Sequence, residues 1–129
     1  MPARKTRVLL VEDNPGLIDT LADILWATGM EVDKALDARA AFGLLEGGGY
    51  DVAVVDMVLP GASGVEVIRK IKESSPTTRI VVCTAYHDSQ LLSQACELGV
   101  DQTVYKPADP GVLIGLIREL AEPKTGEKP

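Results

Sequence analysis

Five polar residues carry side chains that could do chemistry together: the adjacent acids Glu12 and Asp13, the lone acid Asp56, the hydroxyl of Thr84 and the ammonium of Lys106. Glu12 and Asp56 each close a short apolar run; Thr84 and Lys106 close two more. Singly, each of these residues reads better as a helix cap or a solvated turn residue, because such residues commonly follow strands. Together they form a chemically complete set. Three carboxylates brought close repel, and they raise one another's pKa values unless a cation intervenes. Mg²⁺ suits them, being a hard ion that takes oxygen ligands and keeps waters and a phosphate oxygen in its shell. A carboxylate beside such an ion can attack phosphorus and form an acyl phosphate. The transferring group then needs positive charge around its equatorial oxygens, which Lys106 supplies as a mobile point charge. Thr84 offers a hydroxyl donor. On this reading Asp56 is the nucleophile.

The elements that must gather these residues are legible as an alternation. Short β-rich runs cover Arg7 to Val11, Glu31 to Leu36, Asp51 to Val55, Arg79 to Thr84 and Gln102 to Tyr105. The first, third and fourth are nearly continuous in Val, Leu and Ile, as parallel strands covered on both faces should be. Between them the apolar residues recur with helical spacing. Leu17, Leu21, Ile24 and Leu25 make one stripe, Ala41, Leu44 and Leu45 a second, and Val67, Ile68 and Ile71 a third. Leu91, Leu92, Ala95 and Leu98 make the fourth, and Leu113, Leu116, Ile117 and Leu120 the fifth. The run Gly47-Gly48-Gly49 stops the second helix and Gly99 the fourth, while Asp109 and Pro110 suit the start of the fifth. A (βα)₅ alternation predicts a doubly wound, flavodoxin-like α/β fold. Its five-stranded parallel sheet would run in order 2-1-3-4-5, with two helices on one face and three on the other. In such sheets the functional crevice lies beyond the carboxyl ends of the strands, and four of the five strands deliver the polar residues there.

Size and charge narrow the function. The chain has 129 residues, 46% of them hydrophobic, with a formal net charge of −6. That fits one soluble domain and gives no footprint for nucleic acid. The one basic cluster, Arg4-Lys5-Arg7, reads as a solvated lead-in to the first strand. No apolar stretch approaches a membrane span, and the expected location is the cytoplasm. Cys83 and Cys96 fit no metal or disulfide pattern and are expected to be buried thiols. Trp26 is expected to pack near the end of the first helix, and His87, the sole histidine, to be a solvated loop residue. EDNPG follows the first strand where a dinucleotide fold would carry GxGxxG, and no phosphate-loop signature accompanies the glycine triplet. The tail from 122 to 129 has no apolar period and is expected to be a flexible tail or the start of a linker.

With the residues in this arrangement, the chain resembles the receiver domains of two-component response regulators, of the chemotaxis-regulator-like kind, from about Thr6 to Leu120. VLLVEDN at 8 to 14 resembles the family's acidic-pair motif. DMVLPGASG at 56 to 64 is similar to the phosphoacceptor loop, with Pro four and Gly eight residues after the acid. Thr84-Ala85 and Lys106-Pro107 are similar to its last two signatures in order and spacing. Singly these motifs are weak; four in register are specific.

The resemblance implies a phosphorylation-dependent switch over residues 1–121. Asp56 would accept phosphoryl from a phosphohistidine of a sensor histidine kinase or histidine phosphotransfer protein. Glu12, Asp13, Asp56 and the backbone carbonyl of Val58 would hold Mg²⁺, with Glu12 acting through water. Lys106 would pair with the phosphoryl group and Thr84 would swing in to bond it. The peptide between Lys106 and Pro107 is implied to be cis. The face of the fourth helix, fifth strand and fifth helix would then control an output domain or effector protein, as a monomer or a phosphorylation-induced dimer. No enzymatic turnover is implied beyond the domain's own phosphorylation and slow autodephosphorylation. Three features depart from the pattern. Thr103 stands where the family often has an aromatic residue, with Tyr105 projecting to the side of the strand opposite the lysine. Ala108 replaces a bulky apolar residue after Lys106-Pro107. Apolar Val58 and bulky Tyr86 flank the path of the hydrolytic water and imply a long-lived phosphoryl state.

Two other classes compete. One is a pseudo-receiver, an interaction module that keeps the fold without phosphorylation; retention of every polar group argues against it. The other is a Mg²⁺-dependent phosphatase working through an aspartyl phosphate. Such hydrolases want a second acid two residues after the nucleophile, where this chain has Val58, and a cap for which there is no length.

Overall fold

Parallel pairing in register turns the apolar runs into one sheet. A computed structural model describes residues 5–84 and 89–122, so the expectations for Arg4, Tyr86, His87 and most of the tail fall outside the described residues. The elements are β1 (Arg7–Val11), α1 (Pro15–Ala27), β2 (Glu31–Ala35), α2 (Ala38–Gly47), β3 (Val52–Val55), β4 (Val58–Leu59), β5 (Ala62–Ser63), α3 (Gly64–Ser74), β6 (Arg79–Thr84), α4 (Ser89–Leu98), β7 (Gln102–Tyr105) and α5 (Pro110–Ala121). The five-stranded sheet runs β2-β1-β3-β6-β7. Counting sheet strands alone, this is the expected order 2-1-3-4-5. Val8 lies beside Val52, Val52 beside Arg79, and Val81 beside Gln102, all parallel.

Alternation along each strand feeds two cores. Val8, Leu10, Val54 and Val81 meet Ile18, Leu21 and Leu25 of α1 and Leu113 and Ile117 of α5. Leu9, Val11, Ala53, Val55, Ile80 and Val82 meet Ala41 and Leu45 of α2, Ile68 and Ile71 of α3, and Ala95 of α4. Two helices thus cover one face and three the other. Burying each Val, Leu or Ile side chain contributes roughly 1.5–3 kcal/mol, which makes the central strands the stable part of the scaffold.

Caps fix where the helices begin. Asn14 accepts from the Leu17 amide at 3.0 Å, Asp37 from Ala40 at 2.8 Å and Asp109 from Gly111 at 2.7 Å. Pro15 and Pro110 occupy the first helical position of α1 and α5. Stop signals act at the other ends. Gly48 and Gly49 take φ of 66° and 84°, a region that glycine enters without a Cβ penalty, and α2 ends there.

Several expectations are corrected. Ile18, not Leu17, joins Leu21 and Leu25 in the core stripe; Leu17 lies on the rim of α1, 36% exposed. Trp26 does not pack: one position beyond buried Leu25, it points away from the sheet and is 72% exposed. Cys83 is buried, but Cys96 on the outer side of α4 is exposed. Strand two stops at Ala35 and strand three starts at Val52. Arg7 is not solvated lead-in; its guanidinium donates to the carbonyl of Gly48 at 2.9 Å and pairs with Glu31 and Asp33.

Candidate functional site

At the carboxyl end of β1 the chain must turn from a buried strand into α1, and the Glu12-Asp13-Asn14 sequence makes that turn. Glu12 is 6% exposed and one of its oxygens accepts from the Asn14 amide at 3.1 Å. Asn14 caps the helix, which leaves the Asp13 carboxylate exposed at the crevice. Asp56 comes directly after β3 and is buried to the same degree as Glu12. Its amide donates to the carbonyl of Val11 at 3.0 Å, holding the end of β3 against β1.

Beyond Asp56 the chain forms a small antiparallel hairpin, β4 with β5, in which Val58 pairs with Ser63 and Leu59 with Ala62. Its turn is Pro60-Gly61. The hairpin brings α3 back so closely that a Cβ on Gly64 would sit 2.2 Å from the carbonyl oxygen of Asp56. Only glycine admits this approach, and the Gly64 amide donates to Met57 O at 2.8 Å across it. The Pro/Gly/Ser composition reads only as a loop here, because a two-residue pairing carries no periodicity that would reveal the two short strands.

The three acids converge. Glu12, Asp13 and Asp56 each offer an oxygen within 4.8 Å of the others. Lys106 reaches into the group from the end of β7: its Nζ donates to Asp56 Oδ2 at 2.9 Å and also to Glu12 Oε1. The second oxygen of Asp56 accepts from the Val58 amide at 3.2 Å. With Asn14 and Leu17, these residues and Val58 line a pocket of about 320 Å³. A larger cavity of about 400 Å³ lies between α2 and α3, so the acid cluster, not size, identifies the site.

Electrostatics are set by burial and charge. Burial raises the pKa of Glu12, and the nearby Asp56 charge adds to the rise against the pull of Lys106. Burial alone would lower Lys106; its hydrogen bonds to Glu12 and Asp56 outweigh that and raise it. Burial holds the Cys83 thiol at about 11, protonated beside the site. An all-oxygen set with more negative than positive charge fits a hard divalent cation such as Mg²⁺.

Of the remaining site residues read from sequence, Thr84 is 1% exposed at the end of β6, and its carbonyl accepts from the Lys106 amide at 2.8 Å. Its side chain is not among the described walls of the acid pocket. Val58 stands 45% exposed at the pocket mouth. The Lys106–Pro107 peptide is cis. Val104 faces the α1–α5 core, so its neighbours Thr103 and Tyr105 share the opposite face, and Tyr105 is 44% exposed there.

Known proteins share this fold. The chain is 38% identical over 114 residues to the transcriptional regulatory protein CutR of Streptomyces coelicolor, covering 88% of this chain and 52% of that one. It is 37% identical over 102 residues to a cyclic di-GMP phosphodiesterase of Thermotoga maritima, covering 79% of this chain and 27% of that protein. The chain thus spans about half or less of these relatives. A CheY-like response regulator receiver domain protein from Methanospirillum hungatei superimposes with a TM-score of 0.88 at 26% identity, over 92% of this chain and 94% of that one. The response regulator TrrA of Thermotoga maritima, solved in complex with Mg²⁺ and beryllium fluoride, superimposes with a TM-score of 0.76 at 31% identity, over 89% and 98%. The family model for the response regulator receiver domain matches residues 8–118. The chain belongs to the response regulator receiver domain family of two-component signalling.

Proposed function

We propose that Asp56 is the phosphoacceptor of a two-component switch. The observation that carries this is the setting of its carboxylate: buried at a strand end, with one oxygen held by Lys106 at 2.9 Å and the other by the Val58 amide at 3.2 Å. Both donors orient the carboxylate, and the Lys106 ammonium offsets part of its charge. An Asp56 oxygen attacks phosphorus, the P–N bond of a phosphohistidine breaks, and the imidazole leaves with the electron pair. The donor is a sensor histidine kinase or a histidine phosphotransfer protein. Lys106, already within reach of Asp56, balances charge on the transferred group, and Thr84 donates its hydroxyl to a phosphoryl oxygen.

Glu12, Asp13, Asp56 and the Val58 carbonyl would hold Mg²⁺, which supplies Lewis-acid charge neutralisation. Support comes from the convergent acids and from the Mg²⁺ complex of the similar TrrA. The residues 1–121 act as the switch and 122–129 as tail or linker, in the cytoplasm. Phosphorylation biases the α4–β7–α5 face, where Tyr105 and Val112 are 44% and 57% exposed, toward an output domain or effector. Exposed Val58 beside Asp56 obstructs water and slows the return.

The test is incorporation of phosphate from acetyl phosphate with Mg²⁺. Asp56→Asn is expected to lose it while keeping the circular dichroism of the parent. Undiminished incorporation in the mutant refutes the assignment.

A further inference from the structure

Trp26 is the most exposed large apolar side chain among the described residues. Alone it would mean little, but its surroundings are unusual. It lines a cleft of about 290 Å³ with Arg7, Glu31, Val32 and Asp33, on the β2 edge of the sheet. Along α1, Asp19, Asp23 and Trp26 recur at spacings of four and three and so share one side. Asp19 pairs with Lys34 of β2 at 2.8 Å, and Asp23 acts on the same lysine, which sets this side of α1 along β2. The strip around the indole thus carries four carboxylates, Asp19, Asp23, Glu31 and Asp33, against two cations. Both cations are committed. Lys34 holds Asp19, and Arg7 donates to the carbonyls of Gly48 and Gly49 beside the Tyr50 ring. Arg7 stands 3.5 and 3.6 Å from Glu31 and Asp33, longer than a normal charge-assisted hydrogen bond. Those exposed carboxylates keep lone pairs for a further donor. The backbone of this edge is open too, since β2 pairs with β1 and no other described strand. The Glu31 amide donates to Thr6 and the Ala35 carbonyl accepts from Glu12. The alternation of a parallel ladder therefore turns the N–H and C=O of Val32 and Lys34 outward.

We infer that this edge docks an extended segment of a partner protein, which lays an arginine over Trp26. The guanidinium stacks on the indole face while its N–H fork donates to Glu31 or Asp33. The cleft lies at the foot of the size range of small-ligand sites and suits one long side chain better than a cofactor. The segment's backbone pairs with Val32 and Lys34 as a strand added to the sheet. Charge selects this occupant. A second copy of the chain brings the same net charge of −6, and a nucleic acid or anionic membrane brings phosphates against the same acids. An arginine-bearing segment is the complement. The contact sits at the opposite end of the sheet from Asp56 and does not depend on the phosphoacceptor reading. It holds its partner whether or not the acid pocket is occupied.

The probe is the peptide acetyl-Val-Arg-Val-Arg-Val-amide, titrated into the full chain at about 150 mM salt to screen distant charges. Trp26 is the only tryptophan, so its emission reports binding directly. The expected result is saturable protection of the indole from acrylamide, with slower hydrogen exchange at the Val32 and Lys34 amides. Citrulline in place of both arginines keeps the shape without the charge and is expected to bind about tenfold more weakly. Glu31→Gln is expected to weaken the arginine peptide about fivefold, and Glu73→Gln, which removes the same charge from α3, to leave it nearly unchanged. Trp26→Leu, followed through the Val32 amide resonance, is expected to lose about fivefold as well. Mg²⁺ with beryllofluoride is expected to leave the affinity as it was. Equal losses in Glu31→Gln and Glu73→Gln would reduce the effect to attraction by the whole acidic chain and overturn the inference. Absence of binding, a citrulline peptide bound as tightly, or unprotected Val32 and Lys34 amides would overturn it too. An affinity that changes with beryllofluoride would overturn its independence of the acid pocket.

Discussion

The two ends of the sheet each hold a cluster of charge, and they are built on opposite plans. At the amino ends of the strands, Arg7 donates to the carbonyls of Gly48 and Gly49, pairs with Glu31 and Asp33, and lies 4.9 Å from the centre of the Tyr50 ring. The Tyr50 hydroxyl donates to Asp33 at 2.6 Å, and the Arg7 amide to Asp51 at 2.8 Å. The carboxylates there keep much of their contact with water: the side chains of Glu31 and Asp33 are 56% and 43% exposed. At the carboxyl ends, Glu12 and Asp56 have side chains only 8% exposed and share a single lysine. A planar guanidinium fixes several partners at once, whereas an ammonium on a long stem is a movable point charge. The first cluster is architecture. The second sets two buried carboxylates against one ammonium, which is the arrangement the proposed phosphoacceptor role rests on.

Glycines at the two ends give the largest test. A Cβ on Gly64 meets backbone, 2.2 Å from the Asp56 carbonyl oxygen, whereas one on Gly49 meets the tip of the Arg7 side chain at 2.6 Å. Backbone cannot yield; a side-chain tip can. Gly64→Ala is expected to cost about 3 kcal/mol in urea unfolding and to weaken Mg²⁺ binding. Gly49→Ala, strained by its φ of 84°, is expected to cost about 1–2 kcal/mol and to leave Mg²⁺ binding unchanged. Equal effects on Mg²⁺ binding would erase the distinction between the ends.

Swapping each cation for methionine sharpens it. Arg7→Met removes bonds to two carbonyls and two acids and is expected to destabilise by about 1–2 kcal/mol, with or without Mg²⁺. Lys106→Met leaves two buried carboxylates without their ammonium. Its loss of stability is expected to be recovered by Mg²⁺, so that the metal stabilises this variant more than the parent. Thermal unfolding with Mg²⁺ or a chelator reads both. A Mg²⁺ effect no larger in Lys106→Met than in the parent contradicts competition between lysine and metal for the acids.

These contrasts also explain what could be read from sequence. The sheet order and the acid convergence were legible, because continuous Val/Leu/Ile runs specify buried parallel strands and their ends must fall on one edge. The Arg7 cluster was not. Its partners lie 24 to 44 residues away, and a basic residue near the chain start looks solvated until the fold brings Glu31 and Asp51 beside it. Trp26 and Cys96 were misread for a related reason: apolar character alone does not say which side of a helix is covered, and the true stripe through Ile18, Leu21 and Leu25 leaves Trp26 outside. Thr84 was legible as a residue at a strand end. The cavity walled by Leu17, Leu21, Cys83 and Leu113 was not legible, since its walls come from α1, β6 and α5, which meet only in the fold.

A smaller effect comes from Glu12. Its pKa is raised above the ordinary 4.5 by burial, so the folded chain holds this proton to higher pH than the unfolded chain does. The folded state then binds more protons, and this contribution to stability falls as pH rises from 4.5 through the folded value. In chelator, the parent's urea midpoint is expected to drop relative to that of Glu12→Gln across that window. Parallel curves for the two proteins would mean that the acid end carries no such strain.

The smallest expected effect is a null one, and it tests whether the two ends are independent. Trp26 lines a shallow cavity with Arg7, Glu31 and Asp33, at the amino end of the sheet. It is the only tryptophan of the chain, so its fluorescence reports that end alone. At 72% exposure its emission should be that of an indole in water and should be readily quenched by acrylamide. Charge added at the acid pocket must cross the buried Val and Leu of the central strands to reach it, and packed cores transmit strain only where two arrangements exist. The Arg7 cluster, tied to two carbonyls and two acids, offers one. Mg²⁺ with beryllofluoride is therefore expected to leave the emission and the quenching of Trp26 unchanged. A change in either would show that the switch reaches the full length of the sheet and that the Arg7 cluster is part of it.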